Sequence, residues 1–295
     1  MTVLHKNSRG YTLVEILIVC AILSISIGAI FSLYITQLKS AYTQDSMLEM
    51  EQNLRTAMET VSRSLKNAGT LIPAFTSAGL PLTPLSAGIQ SNYSSSVSIN
   101  TASSDGVYAR ITVSKSGVFN NYSVAVDNAS IFNAGDRIRL LNPLTSVPAF
   151  TNNTTLFVSN STPSGTMLKI VANGSFNPTP VFTAGNMFAK AAYPTSTGQF
   201  DTVLFYLGSG GSCPTNQTCL MRSTDGTIDV IASYISSLRF SYIYSNGNED
   251  NNPGTSSNAT LGVRAVRITM SGTTTTVSGT KTKQLTSLIM LRNAR

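Results

Sequence analysis

The chain has 295 residues, a formal net charge of +7 and only 11% charged residues. Average globular proteins carry about 25% charged residues, so this low fraction, with abundant Ser, Thr, Asn and Gly, is typical of an extracytoplasmic, strand-rich protein rather than a nucleic-acid binder. The only histidine is His5. If the chain is cleaved after His5, the remaining protein has no histidine for a Ser-His-Asp triad, a histidine-ligated zinc or a CxxCH haem site. We therefore expect that the protein is not an enzyme and binds no cofactor.

The first predicted element is an apolar helix of membrane length that follows a short basic segment. Residues 16–36 carry no charge and are long enough to cross a bilayer as a helix. Lys6 and Arg9 precede it, which places the N-terminus in the cytoplasm and the bulk of the chain outside. A secretory signal has its small-residue cleavage site after the apolar run, whereas Gly10 comes before it. Cleavage after Gly10 would free Tyr11 and leave the helix attached.

The stretch around Gly10 resembles the processing signature of type IV pilins and pseudopilins. That signature is a basic leader ending in Gly, an aromatic residue or Met, then Thr-Leu-x-Glu before an apolar helix, and residues 10–15 read Gly-Tyr-Thr-Leu-Val-Glu. The resemblance implies cleavage after Gly10 by a prepilin peptidase and methylation of the new Tyr11 amine. Tyr11 departs from the commonest residue there, which is Phe. Loss of residues 1–10 would leave 285 residues and a charge of +5, because Lys6 and Arg9 leave with the leader.

Glu15 is a carboxylate near the start of this apolar helix. An ionised acid within a membrane helix costs about 2.5–3.5 kcal/mol on insertion scales and tends to persist where it has a partner. The resemblance implies that the partner is the Tyr11 amine of a neighbouring subunit, and this pairing would favour one axial register between adjacent helices. The alternative is that Glu15 lies at the membrane interface, stays hydrated and neither drives nor blocks assembly.

The apolar helix is predicted to continue as an amphipathic helix over residues 37–69. Apolar residues recur there mostly at spacings of three or four, which gives one stripe. The stripe consists of Leu38, Met47, Met50, Leu54, Met58, Val61, Leu65 and Ala68. Two i, i+4 pairs have the favourable acid-to-base order, Glu51 with Arg55 and Glu59 with Arg63. Gly69 and Pro73 supply the stop signal, and we expect this half of the helix to pack on a sheet.

Beyond Gly69 the sequence predicts short strands separated by turns. Residues 70–100 are rich in Pro, Gly and Ser and are predicted to form a connecting loop. Residues 101–195 are predicted to form a β-rich inserted module, and residues 196–295 an antiparallel sheet. Strand candidates within the inserted module are Val107–Ser114, Tyr122–Val126, Arg137–Leu141, Thr154–Val158, Met167–Val171 and Met187–Ala191.

The C-terminal third is similar to W-type minor pilins and J-type pseudopilins. Five segments follow one another in the order found in that group, namely TVLFYLG, CLMRSTDG, IASYISSLRFSYIYSNG, VRAVRITMSG and QLTSLIMLRNAR. The stretch NLRTAMETVSRSLKNAG is similar to the end of the same group's helix. The resemblance implies an α+β, pilin-like fold in which a long N-terminal helix packs on a C-terminal antiparallel sheet, with a β-rich insertion between them.

Cys213 and Cys219 enclose five residues of a Gly- and Ser-rich loop. Outside the cytoplasm such a pair favours a disulfide, with free thiols as the alternative. Cys20, in the apolar helix, is most simply a small buried apolar residue. No metal site is expected, because the processed chain has no further Cys outside the membrane helix and no His.

Two further motifs are weak. Asn246, Asn248 and Asp250 alternate as in the first half of an EF-hand loop, but Asn251 occupies the required glycine position and no distal Glu follows. A polar hairpin turn is therefore favoured over a calcium site. Ser278 and Lys281 form an SxxK pair without the companion motifs of penicillin-binding proteins, so catalysis is not expected there.

Together these features predict a minor pilin that primes or caps a type IV pilus as a structural subunit. Its expected partners are other minor pilins, the major pilin, prepilin peptidase and the inner membrane, which it spans once before it enters a pilus at the cell surface. One alternative is a J-type pseudopilin of a type II secretion system. Another is a tip adhesin whose inserted module binds a surface, a sugar or DNA.

The basic C-terminal segment is a second feature that bears on DNA binding. Its charges are Lys281, Lys283, Arg292 and Arg295. They could attract phosphates. Because they alternate with apolar strand residues, they are more typical of a solvated sheet face and of edge protection.

Overall fold

The structure is a computed structural model of the whole chain. It describes residues 12–69, 85–90, 93–101, 103–116, 121–142, 155–159, 165–173, 181–191, 201–224, 226–251, 263–277 and 279–291. In these ranges one long N-terminal helix, α1 (Leu13–Lys66), is followed by antiparallel β-sheets. The predicted α+β, pilin-like arrangement is confirmed.

Short strands account for the rest of the regular structure. In chain order they are β1 (Leu85–Gln90), β2 (Tyr93–Thr101), β3 (Tyr108–Arg110), β4 (Lys115–Ser116), β5 (Asn121–Ala125), β6 (Arg137–Leu141), β7 (Thr155–Val158), β8 (Met167–Asn173), β9 (Val181–Phe182), β10 (Met187–Lys190), β11 (Asp201–Gly208), β12 (Cys219–Thr224), β13 (Thr227–Ala232), β14 (Ile235–Tyr244), β15 (Glu249–Asp250), β16 (Val263–Thr276) and β17 (Gly279–Met290).

The strands form two large sheets and one small one. The larger sheet has the order β13-β12-β11-β2-β14-β16-β17, with β1 beside β2 and β15 beside β14. The second has the order β3-β10-β6-β7-β8-β5, and β4 pairs with β9. Both small-sheet strands and all six strands of the second sheet lie within residues 101–195, so the region predicted as an inserted module pairs within itself.

The prediction of a connecting loop over residues 70–100 is wrong for the residues that the structure describes. β1 and β2 lie there and pair with each other, and β2 also pairs with β11 and, at Ser94, with β14. Val97 and Ile99 are buried and alternate with the half-buried Ser96 and Ser98. This two-residue period was present in the sequence, but serine on the outer face made the stretch resemble a loop.

The chain divides into two compact units. One contains the residues up to Glu49 together with Thr274–Lys281, and the other contains Met50–Thr273 and Thr282–Arg295. In the first unit, α1 presents exposed side chains at nearly every position, including Leu38 and Met47 of the predicted stripe.

In the second unit, the remainder of α1 packs on the larger sheet. The residues that α1 buries are Met50, Leu54, Ala57, Val61 and Leu65. They share one core with buried sheet residues such as Leu238, Phe240, Ile268 and Met270. The six-stranded sheet has a separate core, in which Tyr122, Phe182 and Phe188 contact one another as an aromatic group.

The end of α1 and its surface ion pairs follow the sequence closely. The helix ends at Lys66, and Gly69 has a positive φ of 71°. The Gly69 N–H donates to the carbonyl of Asn100 at 3.0 Å, so the chain leaves the helix beside β2. Both predicted i, i+4 pairs are formed, between Arg55 and Glu51 at 2.7 Å and between Arg63 and Glu59 at 2.9 Å.

Candidate assembly site at the start of the helix

Thr12 and Glu15 form a reciprocal cap at the first turn of α1. The Thr12 N–H donates to Glu15 Oε2 at 2.9 Å, and the Glu15 N–H donates to Thr12 Oγ1 at 3.3 Å. The Thr12 hydroxyl donates to the same Oε2 at 3.1 Å. This geometry is a capping box, in which the residue before the helix and the residue three positions later satisfy each other's backbone N–H groups.

The cap gives the carboxylate of Glu15 an internal partner. Two donors of Thr12 converge on Oε2, while Oε1 makes no hydrogen bond within the described part of the chain. Glu15 is exposed, so Oε1 can accept a bond from another molecule. An acid at the helix N-terminus is also stabilised by the helix dipole. The arrangement can therefore hold a negative charge in place and still receive an external cation.

The helix that follows is long and apolar enough to cross a membrane, and no residue in its most apolar stretch is buried. Two of its hydroxyl groups donate to carbonyls of the preceding turn. Ser24 Oγ donates to the Cys20 carbonyl at 2.7 Å, and Thr36 Oγ1 donates to the Ser32 carbonyl at 2.9 Å. Such bonds to the preceding turn leave an apolar outer surface, which suits lipid or a bundle of apolar helices. Cys20 is exposed on this surface, contrary to the buried position expected for it.

The predicted processing residues lie outside the described part of the chain. They are His5, Lys6, Arg9, Gly10 and Tyr11. Thr12 is the first residue whose placement is described, so the cap begins one residue after the predicted new N-terminus.

A family model described as the prokaryotic N-terminal methylation motif matches residues 5–31. The chain is type IV pilin-like at its N-terminus. The match includes Gly10 and Glu15 and continues into the apolar helix. A methylation motif of this kind implies processing by prepilin peptidase and assembly with other pilins, and the apolar helix near the N-terminus fits a single-pass inner-membrane pilin. No curated protein and no solved structure matches the chain.

The disulfide predicted between Cys213 and Cys219 is formed, with Cα atoms 6.0 Å apart. It closes the loop between β11 and β12. Asn216 at the exposed end of this loop has a positive φ of 64°, a conformation that Asn tolerates better than most residues. The disulfide thus holds a tight polar turn.

The asparagine-rich segment is a hairpin turn between β14 and β15. The Asn248 N–H donates to Asn246 Oδ1 at 3.0 Å, and the Tyr244 N–H donates to the Asn248 carbonyl at 3.0 Å. The side-chain oxygen of Asn246 thus serves the turn, and the Asp250 carboxylate accepts from the Asn251 N–H. Among the described residues no group of three or more His, Cys, Asp or Glu side chains could hold a metal ion. Ser278, of the SxxK pair, lies outside them.

The capping interaction between Glu15 and Thr12 was not predicted from the sequence, where Glu15 was considered only as a charge within the membrane. The signal was present, because Thr12-Leu-Val-Glu15 before an apolar run matches the capping-box pattern of Ser or Thr followed three residues later by Glu. Thr12 is therefore the residue to add to the candidate site.

Proposed function

We propose that this protein is a minor pilin that primes or caps a type IV pilus, acting as a structural subunit and not as an enzyme. The observation that carries the proposal is the methylation motif over residues 5–31, with Glu15 held in the first turn of an apolar helix. The order of strand segments in the C-terminal third supports the minor-pilin class over a major pilin.

In this proposal the protein crosses the inner membrane once, with its N-terminus in the cytoplasm, and then enters a pilus at the cell surface. Prepilin peptidase removes residues 1–10, and the methylated Tyr11 amine of one subunit pairs with Glu15 of the next. The exposed Oε1 atom is the acceptor for this pairing. Because the pairing fixes the axial offset of two helices, it orders the first subunits of a filament.

The test is an in-frame deletion of the gene in its source bacterium, complemented with the wild-type gene and with Gly10→Val, which blocks cleavage. We expect the deletion to abolish piliation and twitching, and we expect the wild-type gene alone to restore them. Loss of exoprotein release with intact pili would instead identify a J-type pseudopilin. Normal piliation, twitching and secretion in the deletion strain would contradict both assignments.

A further inference from the structure

A polar cleft of about 430 Å³ opens in the second unit, where the start of β6 and the end of β10 approach the β12–β13 hairpin. Its charged lining residues are Asp105, Asp136, Arg137, Lys190, Arg222 and Asp229. A volume of this order lies in the range of small-molecule sites, which often form where two substructures meet. Here the two substructures are the six-stranded sheet and the larger sheet.

The charges in the cleft compensate one another. Lys190 Nζ lies 3.5 Å from Asp105 Oδ2 and 3.3 Å from Asp136 Oδ1. Arg222 Nη2 lies 2.8 Å from Asp229 Oδ2. With Arg137 included, three basic and three acidic side chains line the described part of the cleft, so its formal charge is zero. A neutral lining of this kind does not attract a polyanion such as DNA, which needs an excess of Lys and Arg.

The wall of the cleft is held by a buried carboxylate. Asp201, at the start of β11, accepts from Arg139 Nη1 of β6 at 2.6 Å and from the Ser104 N–H at 2.9 Å. The Asp201 side chain is fully buried and that of Arg139 is 14% exposed. Since Ser104 itself lines the cleft, this ion pair fixes both a lining residue and the approach of the two sheets. The cleft is therefore preformed rather than created by a ligand.

The cleft offers hydrogen-bond donors and acceptors side by side. Four hydroxyl-bearing residues share the lining with the charged pairs, namely Ser64, Ser104, Thr224 and Thr227. The Nε atom of Arg222 is buried and has no hydrogen-bond partner among the described residues.

We propose that this cleft binds a neutral carbohydrate. A sugar hydroxyl both donates and accepts, so it matches a lining in which carboxylates, hydroxyls and basic groups stand next to one another without net charge. The volume accommodates about one or two sugar units. This inference goes beyond the assembly role and does not depend on it, because none of the lining residues belongs to the start of α1.

The test uses full-length protein in detergent and ligand-observed NMR with a panel of glucose, galactose, mannose, N-acetylglucosamine and their disaccharides. Glucuronic acid, glucosamine and a single-stranded oligonucleotide serve as charged probes. We expect saturable binding of at least one neutral sugar, with no tighter binding of any charged probe. The cross-strand pair Thr224→Val/Thr227→Val should weaken that binding at least about tenfold, because it removes two hydroxyls at nearly constant volume.

The matched control is Thr269→Val/Thr286→Val. These two hydroxyls lie 3.4 Å apart across β16 and β17, in the same sheet but outside the cleft. We expect this variant to bind sugar like the wild type, and we expect both variants to keep the wild-type melting temperature. Absence of binding to every neutral sugar, tighter binding of a charged probe, or equal loss in both variants would overturn the proposal. None of these outcomes bears on piliation.

Discussion

Lys283 on β17 forms an ion pair with Glu51 on α1, although 232 residues separate them in the chain. Arg55 contacts the same carboxylate at 2.7 Å, so two cations share one acid. The hydrogen bond from Lys283 lowers the pKa of Glu51 below its ordinary value of 4.5, and the hydrogen bond from Arg55 lowers it further. The pair thus ties the last described strand to the helix.

This pair predicts a pH-dependent contribution to stability. Because the folded pKa of Glu51 is depressed, the pair stabilises the fold above pH 4.5 and its contribution is lost as the pH falls through the folded pKa. We expect Glu51→Gln to lower the melting temperature at neutral pH, with a difference from wild type that shrinks on acidification. Glu59→Gln, which removes an exposed pair within the helix, is the control and should have a smaller effect at every pH. A difference that does not change with pH would contradict the assignment.

Gly272 on β16 allows α1 to pack closely against the sheet. A Cβ at this position would lie 2.8 Å from Leu54 Cδ1 and 3.0 Å from both Leu54 Cγ and Met50 Cγ. Gly272→Ala should therefore lower the free energy of unfolding by about 1–3 kcal/mol, because overpacking forces α1 away from the sheet. Chemical denaturation of the detergent-solubilised protein measures this.

A second substitution separates overpacking from other effects of Gly272→Ala. Leu54→Ala removes the atoms that the new methyl group would meet, so Gly272→Ala should cost less in that background than in the wild type. Equal costs in the two backgrounds would show that the contact with Leu54 is not the cause.

The buried pair of Arg139 and Asp201 predicts a large effect of removing one partner. Arg139→Met removes this cation from the fully buried Asp201 carboxylate and should destabilise the protein by about 3–5 kcal/mol. Replacing both, as Arg139→Met/Asp201→Leu, should recover much of that loss. The control is Arg63→Gln, which removes an exposed ion pair with Glu59. It should lower the free energy of unfolding by about 0–1 kcal/mol. Similar losses for Arg139→Met and Arg63→Gln in denaturation experiments would refute this account.

Two substitutions at Glu15 separate the role of its charge from the role of its hydrogen bonds with Thr12. Gln at this position retains an oxygen that can accept from Thr12, whereas Val removes both the cap and the charge. We expect both variants to insert into the membrane and both to enter filaments poorly, since neither can neutralise the amine of a neighbour. Immunoblots of sheared pili against membrane fractions measure the partition. Normal incorporation of Glu15→Gln would mean that the cap alone suffices.

Helices and strands in which apolar residues recur at a regular spacing were predictable from the sequence. The apolar run and the three-to-four spacing that follows it predicted α1, and its end at Lys66 lies close to the stop signal at Gly69. Most strand candidates of the central region were placed within about two residues, and Arg137–Leu141 has the observed bounds of β6. The three-to-four spacing of the residues that α1 buries and the alternation of Ile138 and Leu140 in β6 can both be recognised in the local sequence.

Features that depend on distant contacts were not predictable. β2 has weak hydrophobic alternation because serine fills its outer face, and its pairing with β11 and β14 depends on strands about 100 residues or more away in the chain. The burial of Asp201 could not be predicted from the sequence, because Arg139 and Ser104, which bind its carboxylate, come close to it only in the folded chain. The same holds for Gly272, whose role is defined by Leu54 across the core.

The long sequence distance between α1 and the strands that cover it has a consequence for export. In the proposed topology the N-terminus stays in the cytoplasm and the residues after the apolar helix cross the membrane in chain order, so the apolar stripe of α1 from Met50 onward emerges long before β14 and β16, which cover it. Until those last strands arrive, a half-translocated molecule presents uncovered leucine and methionine side chains to the periplasm. Products truncated before Ile235 should accordingly be degraded or aggregate, and a chaperone has a long interval in which to act.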